Sequence, residues 1–195
     1  MTSLVYIHGF LSSPGSYKAQ ATARWLKAHR PDIGFFCPHL TPYPRQTQLY
    51  LENLVESLQA AGPVVLMGSS LGGYWCTWLA ERYDLKAVLI NPSVKPWAFM
   101  PEYLEVDLKG YHTDDSYRLH AHHVDEIKAV YVDALTRKDN YWLLAQTGDE
   151  TLDYREAVAR YQGCKQTIEE GGDHSFQNFD RHLPELIAFL VARDR

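Results

Sequence analysis

Apolar residues follow two alternating rhythms along this chain. Short unbroken runs occur at Leu4-Val5-Tyr6-Ile7, Ile33 to Cys37, Val64-Val65-Leu66-Met67, Ala87-Val88-Leu89-Ile90 and Tyr141 to Ala145. Runs of four or five apolar residues bounded by turn signals fit strands buried on both faces. Between them the apolar positions recur every three or four residues, the period of a helix lying on a core. Tyr17, Ala21 and Trp25 predict a helix from Pro14 to about His29, ended by Arg30-Pro31. Leu51, Leu54, Val55 and Leu58 predict a second, stopped by Gly62-Pro63. Leu71, Tyr74, Trp75, Trp78 and Leu79 make a third stripe. Asp153 followed by Glu156 fits a capping box for a helix to about Gln162, and Leu183, Leu186, Ile187, Leu190 and Val191 mark the last helix. Lys165 to Ile168 is a more polar strand, as suits a sheet edge.

Strands alternating with helices predict an α/β fold with about six mostly parallel strands and helices on both faces. No internal repeat, low-complexity tract or linker interrupts residues 1–195, which read as a single domain. From Pro92 to Asn140 the rhythm breaks into aromatics, single helical turns, acidic residues and a histidine cluster, with no strand of comparable quality. This segment reads as a cap or lid inserted into the fold.

Composition narrows the function classes. The chain is 46% hydrophobic and 22% charged with a net charge of −5, so nothing electrostatic favours nucleic acid or an anionic membrane as partner. The start Met1-Thr2-Ser3-Leu4 lacks a basic leader, and no apolar stretch reaches the roughly 18 residues of a membrane span. The three cysteines, Cys37, Cys76 and Cys164, show no metal-ligand or redox spacing and read as buried thiols in a reducing, cytoplasmic compartment.

The chemistry centres on Gly68-Ser69-Ser70-Leu71-Gly72, where an apolar run passes through a tight turn into a helix. A serine at that apex takes a strained backbone conformation and its hydroxyl stands clear of the sheet. It is a weak nucleophile until a base removes its proton, and the base in turn needs a carboxylate to fix its tautomer. Asp149 in Thr147-Gly148-Asp149 and His174 in Gly171-Gly172-Asp173-His174 follow later strands, giving the order Ser70, Asp149, His174. Glu150 and Asp153 are alternative carboxylates, whereas Asp173 adjoins His174 too closely to reach its far ring nitrogen. The amides of Leu71, after the serine, and of Phe10, in His8-Gly9-Phe10, are candidate donors to a developing oxyanion.

Two further clusters invite roles. His112, His120, His122 and His123 lie near Asp107, Asp114, Asp115 and Asp125, but their spacing matches no metal-ligand pattern and reads as a polar, solvated cap surface, with no metal expected. Trp97, Phe99, Met100 and Tyr103 are candidate substrate-binding residues, the wall of an acyl pocket; packing of the cap on the sheet explains them equally well.

The stretches His8-Gly9-Phe10-Leu11-Ser12-Ser13-Pro14, Gly68-Ser69-Ser70-Leu71-Gly72-Gly73-Tyr74, Asn91-Pro92-Ser93-Val94, Gln146 to Arg155 and Glu169 to Phe176 together resemble the α/β-hydrolase superfamily, and within it the small bacterial esterases typified by YqiA. The resemblance implies a cofactor-free serine esterase acting on small acyl esters, or on acyl thioesters such as acyl-CoA, through an acyl-enzyme on Ser70. It implies Asp149 and His174 as its partners. Departures from the family concentrate in residues 92–140, the part expected to meet substrate. An acyltransferase, a carbon–carbon hydrolase or a peptidase could use the same machinery, and a non-catalytic binding protein could keep the same fold.

Overall fold

Each predicted apolar run becomes a strand. The computed structural model describes residues 1–192. The chain runs through β1 (Thr2–Ile7), α1 (Tyr17–His29), β2 (Ile33–Phe36), α2 (Pro44–Gln59), β3 (Val64–Ser69), α3 (Leu71–Tyr83) and β4 (Ala87–Ile90). It continues with β5 (Asp107–Lys109), β6 (Ser116–Arg118), α4 (Ala121–Ala129), β7 (Tyr141–Gln146), α5 (Tyr154–Arg160), β8 (Lys165–Glu169) and α6 (Leu183–Val191). Six strands form one sheet in the order β2-β1-β3-β4-β7-β8, with every neighbouring pair parallel.

Two apolar layers explain the unbroken runs. Val5, Ile7, Leu66 and Leu89 point into a core shared with Leu51 and Val55 of α2 and with α3, whereas Leu4, Tyr6, Met67 and Val88 face the opposite core under α1 and α6. Both sides of these strands are covered, so neither side needs polar residues. The chain steps outward from β1 to β2, then returns to place β3 on the other side of β1. The loops after β1 and β3 therefore part from adjacent strands and open a crevice between them at the carboxyl edge of the sheet.

Residues Leu71 to Ala80 of α3 are all buried, more than the single stripe predicts. The 92–140 segment covers its outer side: the Tyr74 hydroxyl donates to the Ile127 carbonyl at 2.7 Å, and Trp97 packs edge-on against Tyr74. That segment does contain strands, the three-residue antiparallel pair β5 and β6, with α4 and single 3-10 turns. Only Leu108 of β5 is buried, too little apolar pattern to announce a strand.

Three smaller expectations need correction. α1 begins at Tyr17 rather than Pro14, because Ser13 to Ser16 form a turn closed by Ser16 N–H on Ser13 O. α5 has no capping box: the Asp153 carboxylate accepts from the Arg155 amide at 3.0 Å and the Arg155 guanidinium folds back on it, so Glu156 is left out and the helix ends at Arg160. Of the three free cysteines only Cys76 is fully buried; Cys37 and Cys164 are partly exposed. No described helix is long and apolar enough to cross a membrane.

Candidate active site

Ser70 sits between β3 and α3 with φ 56° and ψ −122°. That region costs a non-glycine residue about 1–3 kcal/mol and persists only where its surroundings enforce it. Here Ser70 N–H donates to Ile90 O at 3.0 Å, while Ser70 O accepts from Gly73 N at 2.9 Å and Ser93 N at 3.0 Å. The turn is too tight for side chains on either flank. A Cβ at Gly72 would stand 1.9 Å from the Ile7 carbonyl oxygen, and one at Gly68 would stand 2.4 Å from Gly72 O.

β7 and β8 end beside this turn and lead to Asp149 and His174. His174 Nε2 lies 3.1 Å from Ser70 Oγ, and its Nδ1 lies 2.8 Å from Asp149 Oδ2. A carboxylate only accepts, so Nδ1 carries the proton and Nε2 presents its lone pair to the serine hydroxyl. The other oxygen, Asp149 Oδ1, accepts from the amides of Thr151 at 2.9 Å and Leu152 at 2.8 Å. Burial alone would push the Asp149 carboxyl up; the His174 bond and the Leu152 and Thr151 amides outweigh it and hold the group below the usual carboxylate range. The rival carboxylates are engaged otherwise. Glu150 Oε2 accepts from the His174 amide at 3.0 Å, Asp153 pairs with Arg155, and Asp173 Oδ2 accepts from Gln177 Nε2 at 2.8 Å.

Two residues to which the sequence attached no role hold the histidine loop. Asn91, buried with φ 39°, donates from Nδ2 to the carbonyls of Asp173 at 3.0 Å and His174 at 3.1 Å, while its Oδ1 accepts from Gln146 N at 3.0 Å. Gln146 Oε1 accepts from the amides of Asp173 and Gln177, and its Nε2 donates to Gln177 O. Asn91-Pro92-Ser93-Val94 was visible as a motif, but nothing in it says which loop its amide would reach.

The loop after β1 closes the other side. A Cβ at Gly9 would stand 3.3 Å from Ser70 Cβ, so this loop lies directly against the serine. Neither Phe10 N nor Leu71 N donates to another protein group among the described residues. His8 is buried, and its Nε2 accepts from Leu40 N at 3.0 Å, which leaves Nδ1 to donate to Gly9 O at 2.9 Å. Burial pushes the His8 imidazole down to about 4, so it stays neutral and holds the loop.

Ser70 and His174 open onto a cavity of about 1150 Å³. Phe10, Phe99 and Tyr103 line it and meet one another edge to face, with ring centroids 5.2 to 6.1 Å apart. Trp97 and Met100 are not among its lining residues, contrary to expectation. Trp97 is taken up by Tyr74 and Tyr131, and Met100 is 1% exposed within the core. Lys18 of α1 also lines the cavity, unannounced by any motif. The histidine cluster departs from a solvated surface at one position: His123 is buried, and its Nδ1 accepts from His120 N at 2.8 Å to start α4. Among the described residues no three metal-binding side chains converge.

A family model described as "Uncharacterised protein family (UPF0227)" matches residues 3–191. The chain belongs to the UPF0227 family. Among its members, UPF0227 protein Shewana3_2292 of Shewanella sp. strain ANA-3 is 30% identical over 195 residues, covering 97% of this chain and 99% of that protein. The chain has the α/β-hydrolase fold. The monoacylglycerol lipase of Paleococcus ferrophilus superposes with a TM-score of 0.71 at 15% identity, covering 96% of this chain and 94% of the lipase. The esterase domain of a Rhodothermus marinus protein superposes with a TM-score of 0.68 at 17% identity, covering 96% of this chain and 86% of that domain.

Proposed function

We propose that this UPF0227 protein is a serine hydrolase of carboxylic esters, and of acyl thioesters by the same route. The observation that carries the reading is the continuous hydrogen-bonded path from Asp149 through His174 to Ser70 at the crevice between β1 and β3. Esterase and lipase names among proteins of the same fold agree with it.

In this reading Ser70 Oγ attacks the acyl carbonyl as His174 Nε2 accepts its proton. Asp149 fixes the ring tautomer and stabilises the imidazolium. The amides of Phe10 and Leu71, unengaged by protein acceptors, meet the oxygen as it gains charge, and the second stands at the positive end of α3. The imidazolium then returns its proton to the departing alcohol or thiol. Water, deprotonated by the same imidazole, releases the acid from Ser70. All groups come from this chain and water. The 92–140 segment serves as the cap, with Phe99 and Tyr103 as the apolar wall for the acyl group.

The test is hydrolysis of a graded series of p-nitrophenyl esters by the native protein and Ser70→Ala. A loss of about a millionfold in kcat is expected, as for nucleophiles of other triads. Turnover by Ser70→Ala within tenfold of the native rate would refute the reading.

A further inference from the structure

Lys18 places a cation in the same cavity as the reacting groups. It lies in the first turn of α1, partly buried, and lines the cavity with Ser70 and His174. Its ammonium donates to the Ser175 carbonyl at 2.7 Å, which uses one of three N–H bonds. No carboxylate oxygen lies within 4.0 Å of it among the described residues. Of the acidic groups near it, Asp149 is bonded to His174 and two amides, Glu150 to the His174 amide and Asp173 Oδ2 to Gln177, while Glu102 stands elsewhere in the cavity lining. Asp173 Oδ1, buried without a partner, acts on Lys18 only at longer range. Burial lowers the Lys18 pKa to about 8 against the pull of Asp173 and Asp149.

The side of the cavity decides which half of a substrate meets Lys18. A departing oxygen or sulfur takes its proton from His174 Nε2, so the alcohol or thiol half must lie on the histidine side of Ser70. Lys18 is bonded to the carbonyl of the residue that follows His174. We propose that Lys18 forms a subsite for a carboxylate or phosphate group carried on the leaving half of the substrate. The apolar wall of Phe10, Phe99 and Tyr103 then takes the acyl half. This deepens the esterase reading above and rests on it.

The experiment compares 4-carboxyphenyl, 4-phosphonophenyl and 4-carbamoylphenyl acetates at pH 7.0, where Lys18 is charged, with the native protein, Lys18→Gln and Lys18→Arg. The readout is the ratio of kcat/KM for each anionic ester to that for the neutral carbamoyl ester, which cancels any general damage to the histidine loop. The ratio is expected to fall about tenfold or more in Lys18→Gln, as for loss of a hydrogen bond to a charged group. Lys18→Arg should keep it within about threefold, because a cation still faces the anion. Whichever anion loses more identifies the preferred group. An unchanged ratio in Lys18→Gln, alongside Ser70-dependent cleavage of the neutral ester, overturns the subsite and leaves the esterase reading standing. If the native protein cleaves none of the three, the esterase reading fails, and calorimetry with 4-hydroxybenzoate, 4-hydroxyphenylphosphonate and 4-hydroxybenzamide still decides the subsite. Anion-selective binding lost in Lys18→Gln supports it; equal binding of all three overturns it.

Discussion

His8 shows how one buried side chain links folding to pH. Its Nε2 must accept from Leu40 N, so the folded protein holds the ring neutral down to about pH 4, whereas an unfolded chain protonates it near 6.5. Between those values the unfolded state binds the extra proton, so stability falls as the pH drops from about 6.5 towards about 4. Chemical denaturation at pH 7 and pH 5 should show that His8→Phe loses less stability between the two than the native protein, by roughly 2 kcal/mol. Equal losses would place the titration elsewhere. Asn91 makes a second residue-scale case, because it spans the peptides on both sides of His174. Asn91→Ala leaves buried backbone groups unpaired and should cost at least about 2 kcal/mol in unfolding free energy. It should lower kcat on a neutral ester more than it raises KM, because what loosens is the base. Asp149→Asn should leave the fold intact and reduce kcat by roughly 10⁴-fold, the effect of presenting the wrong tautomer to the serine.

At the level of elements, the turn from β3 into α3 was legible because its requirements are written in glycines. The 1.9 Å approach of a Cβ at Gly72 to the Ile7 carbonyl leaves no room for the smallest side chain. Gly72→Ala should therefore separate β1 from α3 and be recovered mostly as insoluble or unfolded protein; a soluble variant with native melting would contradict this. The 92–140 segment was less legible. Its aromatics are all apolar, yet some pack on α3 and others face the cavity, a distinction set by the path of single turns rather than by any period. Trp97 and Phe99 separate the two roles. Phe99→Ala should shift ester preference towards longer acyl chains, whereas Trp97→Ala should lower the melting temperature and leave the chain-length profile unchanged, because its ring rests on Tyr74 and Tyr131.

For the whole molecule, the parallel sheet and its central strands could be read from apolar runs, since strands covered on both faces have nothing else to show, while β1, β3 and β7 extend one or two residues beyond those runs. The positions of Ser70, Asp149 and His174 could be read because each follows a strand at the same edge of the sheet. Lys18 and Gln146 could not: a lysine on a helix and a glutamine ending a strand look like solvated residues until β1, β7 and the histidine loop are brought together. The crevice between β1 and β3 is what converts those distant positions into neighbours, and the proposed chemistry depends on it. Its most direct test is reaction of the intact protein with a fluorophosphonate probe, followed by peptide mapping by mass spectrometry, with His174→Ala in parallel. One equivalent of adduct on Ser70, formed at least a hundredfold more slowly in His174→Ala, is the expected result. An unlabelled Ser70, or equal labelling with and without the imidazole, would contradict it.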